Sequence, residues 1–260
     1  DNSGFAPGAN DDGSGVAAIL ELLRIMSTRK FPATIVFMAV SGEEHGLYGA
    51  KFMAEKAKTE KWNIIAMLNN DMIGNSGSSE TMLNDNMRVR VFSEGVPAFE
   101  TEQMTALRKY TAGENDSRSR QLARYIKETG ERYVDQMNVT LIFRNDRFGR
   151  GGDHTPFCQA GFTAVRICEF NENYDRTHKI PAIVNGIQEG DLPEYVDYEY
   201  VRKNAGINLA TIANLAMAPY EPANCGIVTS TLTNSTTLRW SAQDKSIKPA
   251  GYYVLIRETY

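Results

Sequence analysis

The spacing of apolar residues along the chain switches several times between a helical and a strand-like period. Val16, Ile19, Leu20, Leu23 and Met26 recur every three to four positions, which predicts a helix to about residue 28 with Ser14 as its N-cap. Phe31-Pro32 ends it. Ala33 to Val40 is apolar without alternation and rich in β-branched residues, which predicts a strand buried on both faces. A helix from His45 to about Lys58 follows, then a second buried strand, Ile64 to Leu68, closed by Asn69-Asn70-Asp71. Gly74 to Asn86 reads as a polar loop and Met87 to Ser93 as a strand, while 95–117 has no single period and suits an inserted flap. Arg118 to about Met137 has a helical pattern, with Leu122, Tyr125, Ile126, Tyr133 and Val134 on one side. Val139 to Phe143 and Thr163 to Cys168 read as strands, and about 194–217 as a long helix. Strands alternating with helices predict a three-layer α/β/α sandwich around a mixed, mostly parallel central sheet.

Pro219 to Pro222 breaks this rhythm. Beyond it Gly226 to Ser230, Thr236 to Trp240 and Tyr252 to Arg257 alternate as short strands. A buried Trp on the second strand and Tyr residues on the third resemble the first strands of a fibronectin type III module. The roughly 40 residues present are too few to close a sandwich of about 100. The expected division is therefore 1–218 for the α/β domain and 223–260 for a partial β-sandwich module.

Composition narrows the function classes. The chain has 260 residues, 42% of them hydrophobic and 23% charged, with a net charge of -4, the profile of a soluble globular protein. Lys and Arg are scattered without a basic stripe, which argues against a nucleic-acid partner. No apolar run approaches the roughly 20 residues of a membrane span. There is no signal peptide and no initiator Met, and the chain ends within an apolar run, so it reads as a fragment of a longer protein. Cys158, Cys168 and Cys225 are too few and too dispersed for a zinc knuckle or a disulfide framework. They read as buried free thiols, with a Cys158–Cys168 bridge left open.

Candidate chemistry gathers where predicted strands end. Glu43 and Glu44 follow the first strand, Asp71 closes the second, Asp153 and His154 lie in the loop 144–154, and His178 follows the acidic loop Glu169 to Asp175. Asp11 and Asp12 precede the first helix. Ligands of open α/β sheets bind outside the carboxyl ends of the strands, so these acids and imidazoles converge on one rim. Mixed carboxylate and imidazole donors suit zinc or a similar divalent ion. Glu44 and His178 can serve one ion, Asp71 and a further ligand another, with Asp11 between them and Glu43 as base for an activated water. The chain has no His-Glu-x-x-His helix, P-loop Lys-Ser/Thr, EF-hand Glu or Gly-x-Ser-x-Gly elbow.

Pro7-Gly-Ala-Asn-Asp-Asp-Gly-Ser-Gly15, Ser41-Gly-Glu-Glu-His-Gly-Leu47, Asn69-Asn-Asp-Met72 and Arg176-Thr-His178 occur in this order. Together they resemble the M28 family of zinc metallopeptidases, the group of bacterial leucyl aminopeptidases with two zinc ions, over residues 1 to about 218. The resemblance implies Asp11 as the bridging metal ligand, Glu44 and His178 as ligands of one zinc, Asp71 as ligand of the other, and Glu43 as general base toward a bridging water. It also implies a cis Asp11–Asp12 peptide, a peptide substrate, and a secreted, periplasmic or cell-surface location. The family's upstream His-x-Asp motif, with the first strands of the sheet, is not in this sequence. One zinc should then lack a ligand, and the fragment should bind its metals weakly and be inactive by itself. The family's oxyanion-stabilising Tyr is also absent from the loop before Asp153, where Arg144, Arg147 or Arg150 stand as candidates.

Several residues remain candidates for substrate contact or for supporting the ligands: Asp12, His154 beside its glycines, and Arg150, which suits a substrate carboxylate. Phe148, Phe157, Met72 and Ile73 are candidates for an apolar pocket, while His45 reads as exposed. The activity expected first is aminopeptidase action. A carboxypeptidase or dipeptidase, a glutaminyl cyclase-like enzyme and a non-catalytic adhesive fragment are the alternatives.

Overall fold

The computed structural model describes residues 4–230, 233–243 and 248–256. The chain divides into two compact units, one of residues 1–30 and 35–212, the other of residues 31–34 and 213–260.

In the larger unit the helices are α1 (Gly13–Met26), α2 (Tyr48–Thr59), α3 (Glu102–Thr111), α4 (Arg118–Tyr133), α5 (His154–Ala160) and the start of α6 (Tyr198–Met217). Its strands are β1 (Met67–Asn70), β2 (Arg88–Phe92), β3 (Asn138–Ile142), β4 (Ala164–Glu169), β5 (Ala182–Val184) and β6 (Ile187–Glu189). Four strands form a central sheet in the order β1-β4-β2-β3. β1 is parallel to β4 and β2 to β3, while β2 and β4 run antiparallel, so the sheet is mixed with two parallel pairs, as expected. β4 is buried along its whole length, which explains its unbroken apolar run on either side of Arg166. α4 packs on β3 and β4, and α5 on β1 and β4. The segment left open as a flap contains α3, capped by the Thr101 hydroxyl, which accepts from the Met104 N–H at 3.2 Å.

Two local expectations are corrected. The cap of α1 is Asp12, whose carboxylate accepts from the Gly15 N–H at 3.3 Å. The Ser14 hydroxyl instead donates to the Asn10 carbonyl at 2.7 Å and accepts from the Ile73 N–H at 3.0 Å, joining α1 to the loop after β1. α1 buries Ala18, Leu22 and Met26 and leaves Val16, Leu20 and Leu23 exposed. Residues 33–40 join no ladder, and none of them is fully buried. A strand is defined by the partner that satisfies its backbone groups, and an apolar run carries no information about whether one is present. Met38 and Val40 still pack on a cluster with Ala50, Ala54 and Phe157.

α6 locks the exit of β1. Asn208 and Asn70 exchange amide hydrogen bonds of 2.8 and 3.1 Å, and Asn204 donates to the Ile73 carbonyl at 2.9 Å. Both α6 amides are fully buried. The Tyr200 hydroxyl accepts from the Phe170 N–H at 3.1 Å and donates to the Arg88 carbonyl.

The smaller unit holds β7 (Ala223–Ile227) and β8 (Leu238–Ser241), paired antiparallel. Trp240 meets Tyr252 edge-on with ring centroids 5.8 Å apart. Trp240 is 41% exposed, not buried, and Tyr252 to Ile256 belong to no strand. Arg257, the end of the third predicted strand, lies outside the described residues. An aromatic side chain is buried only when a second layer covers it, and none does so among the described residues. The cysteines are free, with Cys158 and Cys168 buried as expected and Cys225 exposed.

Asn208→Ala leaves the buried Asn70 amide without its partner. The expected loss is about 2 kcal/mol or more of unfolding free energy, measured by denaturant titration, with Asn204→Ala giving a loss of similar size.

Candidate active site

The bend before α2 is built by left-handed residues. Gly42 has φ +75°, Gly46 φ +115° and Leu47 φ +62°, and the Glu43 carbonyl accepts from the N–H groups of Gly46 and Leu47 at 3.0 and 2.9 Å. This delays the helix to Tyr48 and leaves Glu43 half-buried and Glu44 exposed within one turn. At the other end of the site His178 sits at φ +58°. Arg176 anchors the residues before it by donating to the Asn75 side chain at 3.0 Å and stacking on Tyr195 at 4.1 Å.

Asp11 is placed by its backbone. The Asp191 carboxylate accepts from the Asn10 N–H at 2.9 Å and from the Asp11 N–H at 2.7 Å. The Asn10 side chain donates to Glu169 at 2.8 Å and accepts from the Gly74 N–H at 2.8 Å. The Asp11–Asp12 peptide is cis, as expected. Asp12 caps α1 and accepts from the Met72 N–H at 3.3 Å. It therefore ties α1 to the loop carrying Asp71.

These elements bring Asp11, Glu44 and His178 together. The His178 Nε2 atom lies 3.0 Å from Asp11 Oδ2 and 2.6 Å from Glu44 Oε1. One ligand atom from each of the three lies within 4.8 Å of the others, a spacing suited to a small ion with ligand bonds of about 2 Å. Asp71 does not join this trio. It is buried beyond β1, with Oδ2 3.1 Å from the Arg166 guanidinium.

The cluster is rich in negative charge. Burial pushes Asp11 up to about 6, with Asp71 and Glu44 adding to the effect. Burial and the charges of Asp71 and Glu44 push Glu43 up to about 7. Asp153 rises to about 6 through burial and Asp71. Asp12 rises well above the carboxylate range for the same two reasons. Burial also raises Asp71, although Arg166 and Arg147 pull against it. A divalent cation would relieve this crowding, so the donor set fits one.

The remaining sequence candidates separate clearly. His154 is 1% exposed and its Nε2 lies 2.9 Å from the Asn145 carbonyl, with burial lowering its basicity to about 4. It is a neutral residue of the loop frame, and its Nδ1 has no hydrogen-bond partner. Arg147 is committed to Asp146 and Glu172, and Arg144 stacks on the Phe148 ring at 3.4 Å. Arg150 is exposed and forms no ion pair among the described residues. Phe157, Met72 and Ile73 belong to the core, while Phe148 is exposed. His45 is exposed, as expected. Asp191, Glu169, Asn10, Asp146 and Arg166 escaped the sequence reading. The one local signal was Arg166 itself, a charge in the middle of a buried strand.

The sequence model of Peptidase family M28 matches residues 1–182. The chain belongs to this family. A probable zinc metalloprotease of Leptosphaeria maculans is 44% identical over 259 residues, covering 100% of this chain and 60% of the relative. Another from Pyricularia oryzae is 45% identical over 259 residues, covering 98% and 51%. The M28 chain thus spans between half and three fifths of the length of these curated relatives. Among solved structures, the LapA aminopeptidase of Legionella pneumophila has a TM-score of 0.55 at 20% identity, over 83% of this chain and 47% of that one. A zinc aminopeptidase from Bacillus subtilis has a TM-score of 0.55 at 19% identity, over 84% and 44%. Both likenesses establish the M28 chain's fold.

Gly152 packs the site's polar atoms tightly. A Cβ there would meet Asn69 Nδ2 at 3.1 Å, His154 Nδ1 at 3.3 Å and Asp71 Oδ2 at 3.4 Å, whereas one on Gly151 would meet only Thr155 Oγ1 at 3.6 Å. Gly152→Ala should cost about 1–3 kcal/mol of stability by overpacking, and Gly151→Ala no more than about 0.5 kcal/mol, both read from denaturation midpoints.

Proposed function

We propose that the chain is the catalytic segment of a zinc-dependent exopeptidase that removes the N-terminal residue of peptides. The observation that carries this reading is the meeting of Asp11, Glu44 and His178 beside the half-buried Glu43. Carboxylate and imidazole donors in one cluster favour zinc over calcium or magnesium. The naming of the fungal relatives as probable zinc metalloproteases supports the same metal. Asp11, Glu44 and His178 would hold one ion, and Asp71, with Asp11 between, would contribute to a second. Zinc bound there supplies Lewis acidity, which polarises a carbonyl and lowers the pKa of a water.

The chain's own residues account for the rest. The Glu43 carboxylate accepts the proton of the attacking water and returns it to the leaving amine nitrogen. Asp153, the carboxylate of this group left without a metal or proton-transfer role, suits the protonated amine of a peptide's first residue. Asp191 and Glu169 hold the backbone that carries Asp11 and do not touch the reacting atoms. The reading includes a peptidase domain over 1–218, the start of a fibronectin-like module over 223–260, and a secreted, periplasmic or cell-surface setting. The exposed Arg150, in the loop that reaches Asp71 through Gly152, favours a second reading, a carboxypeptidase or dipeptidase, because a guanidinium suits a terminal carboxylate.

The full-length protein should cleave peptides with a free N-terminus and leave N-acetylated ones intact. Cleavage of N-acetylated peptides with a free C-terminus would replace this reading by the second. Glu43→Gln should lower kcat by about 10²–10⁴-fold with zinc content unchanged by metal analysis. Unchanged turnover would remove Glu43 from its role.

A further inference from the structure

Arg166 lies in the middle of β4, level with Asn69 on β1 and with Phe92 on β2, and is 0% exposed. A guanidinium at the centre of a sheet is costly unless its charge is matched. The match is split between two carboxylates from different loops. Nη1 donates to both oxygens of Asp146, at 2.9 and 2.8 Å, and lies 3.3 Å from the Gly151 carbonyl. Nη2 lies 3.1 Å from Asp71 Oδ2, an ion pair without the geometry of a hydrogen bond. Pinning the loop 144–153 requires only the Asp146 contacts, and Asp146 takes both from a single nitrogen. The other end of the fork is left for Asp71.

The charges continue beyond Arg166. The Arg147 Nε lies 3.5 Å from Asp146 Oδ1 and its Nη1 donates to Glu172 at 2.6 Å; Arg90 donates to the other Glu172 oxygen at 2.6 Å and to the Glu169 carbonyl at 2.7 Å. Three arginines thus alternate with Asp71, Asp146 and Glu172. The row runs from the end of β1 to the loop that leads to His178. Arg166 is its contact with Asp71, and no other cation among the described residues is paired with that carboxylate.

We propose that Arg166 is the positioning residue for Asp71, its charge drawing Oδ2 inward so that the remaining oxygen is left for a cation. Arg166 thereby sets how tightly the Asp71 side of the centre binds metal. This rests on Asp71 being a ligand, which Asp71→Asn tests separately.

The test is zinc titration of the full-length protein against a chromogenic chelator, alongside thermal unfolding. Arg166→Met should weaken one zinc by about 10–100-fold, the usual effect of losing a partner that orients a ligand, and leave the other unchanged. Arg166→Lys keeps the charge but not the fork, and should fall between Met and the native residue. The pair Arg166→Met with Asp146→Asn removes the unmatched buried acid. It should recover unfolding temperature without recovering zinc affinity, and it carries the test if Arg166→Met alone does not fold. A lower unfolding temperature with both zinc affinities intact would make Arg166 a structural pin and overturn the proposal. Asp71→Asn separates the two claims. Both zinc affinities unchanged there would refute the ligand assignment and the proposal with it, whereas one weakened zinc in Asp71→Asn beside none in Arg166→Met would refute the positioning role alone.

Discussion

Like charges held together out of water set the terms for this protein. Asp11, Glu43, Asp71 and Asp153 each raise, or are raised by, the charge of another member of the group. Burial alone would favour their neutral forms. Keeping them as acceptors and ligands requires positive charge from elsewhere. In the interior Arg166 supplies it, matched to Asp71 and Asp146. On the open side the trio of Asp11, Glu44 and His178 has the donor types and spacing to take it from an ion.

The scaffold around this group meets the constraint mostly with backbone and neutral partners. Asp191 takes the N–H groups of Asn10 and Asp11. Glu169, fully buried, is pushed up to about 8 by desolvation and accepts from Asn10 and the Asn75 N–H. A neutral Glu169 can hold Asn10 without adding another negative charge beside Asp11. The amides of α6 do the same for the exit of β1, where Asn70 and Asn208 satisfy each other. The placement of Asp11 and of the β1 exit therefore rests on hydrogen bonds between segments 94 to 181 residues apart, and rigidity there follows from burial of that network.

Much of the fold could be read along the chain. β2, β3, β4, α4 and α6 lie within a few residues of where periodicity places them, because each presents one consistent face to a packed neighbour. Residues 33–40 show where that reading stops: hydrophobicity reports a wish for burial, not the presence of a pairing partner. Trp240 fails for the same reason. Ser14 misleads in another way, since a hydroxyl at a helix start can cap the helix or bind a neighbouring loop, and only the loop's position decides.

The site divides along the same line. The candidates and their order, Asp11, Glu43-Glu44, Asp71 and His178, could be read because carboxylates and imidazoles near predicted strand ends are the types that suit metal and proton chemistry. Arg166 was missed, although a charge inside an apolar strand was there to be seen. Tertiary structure decided that Asp11, Glu44 and His178 form one cluster while Asp71 turns to Arg166, that His154 is a buried support, and that Asp191 and Glu169 carry the Asp11 backbone. Those facts depend on distances between segments remote in sequence. Side-chain chemistry is written residue by residue, but the pairing of charges is settled only when the chain closes on itself.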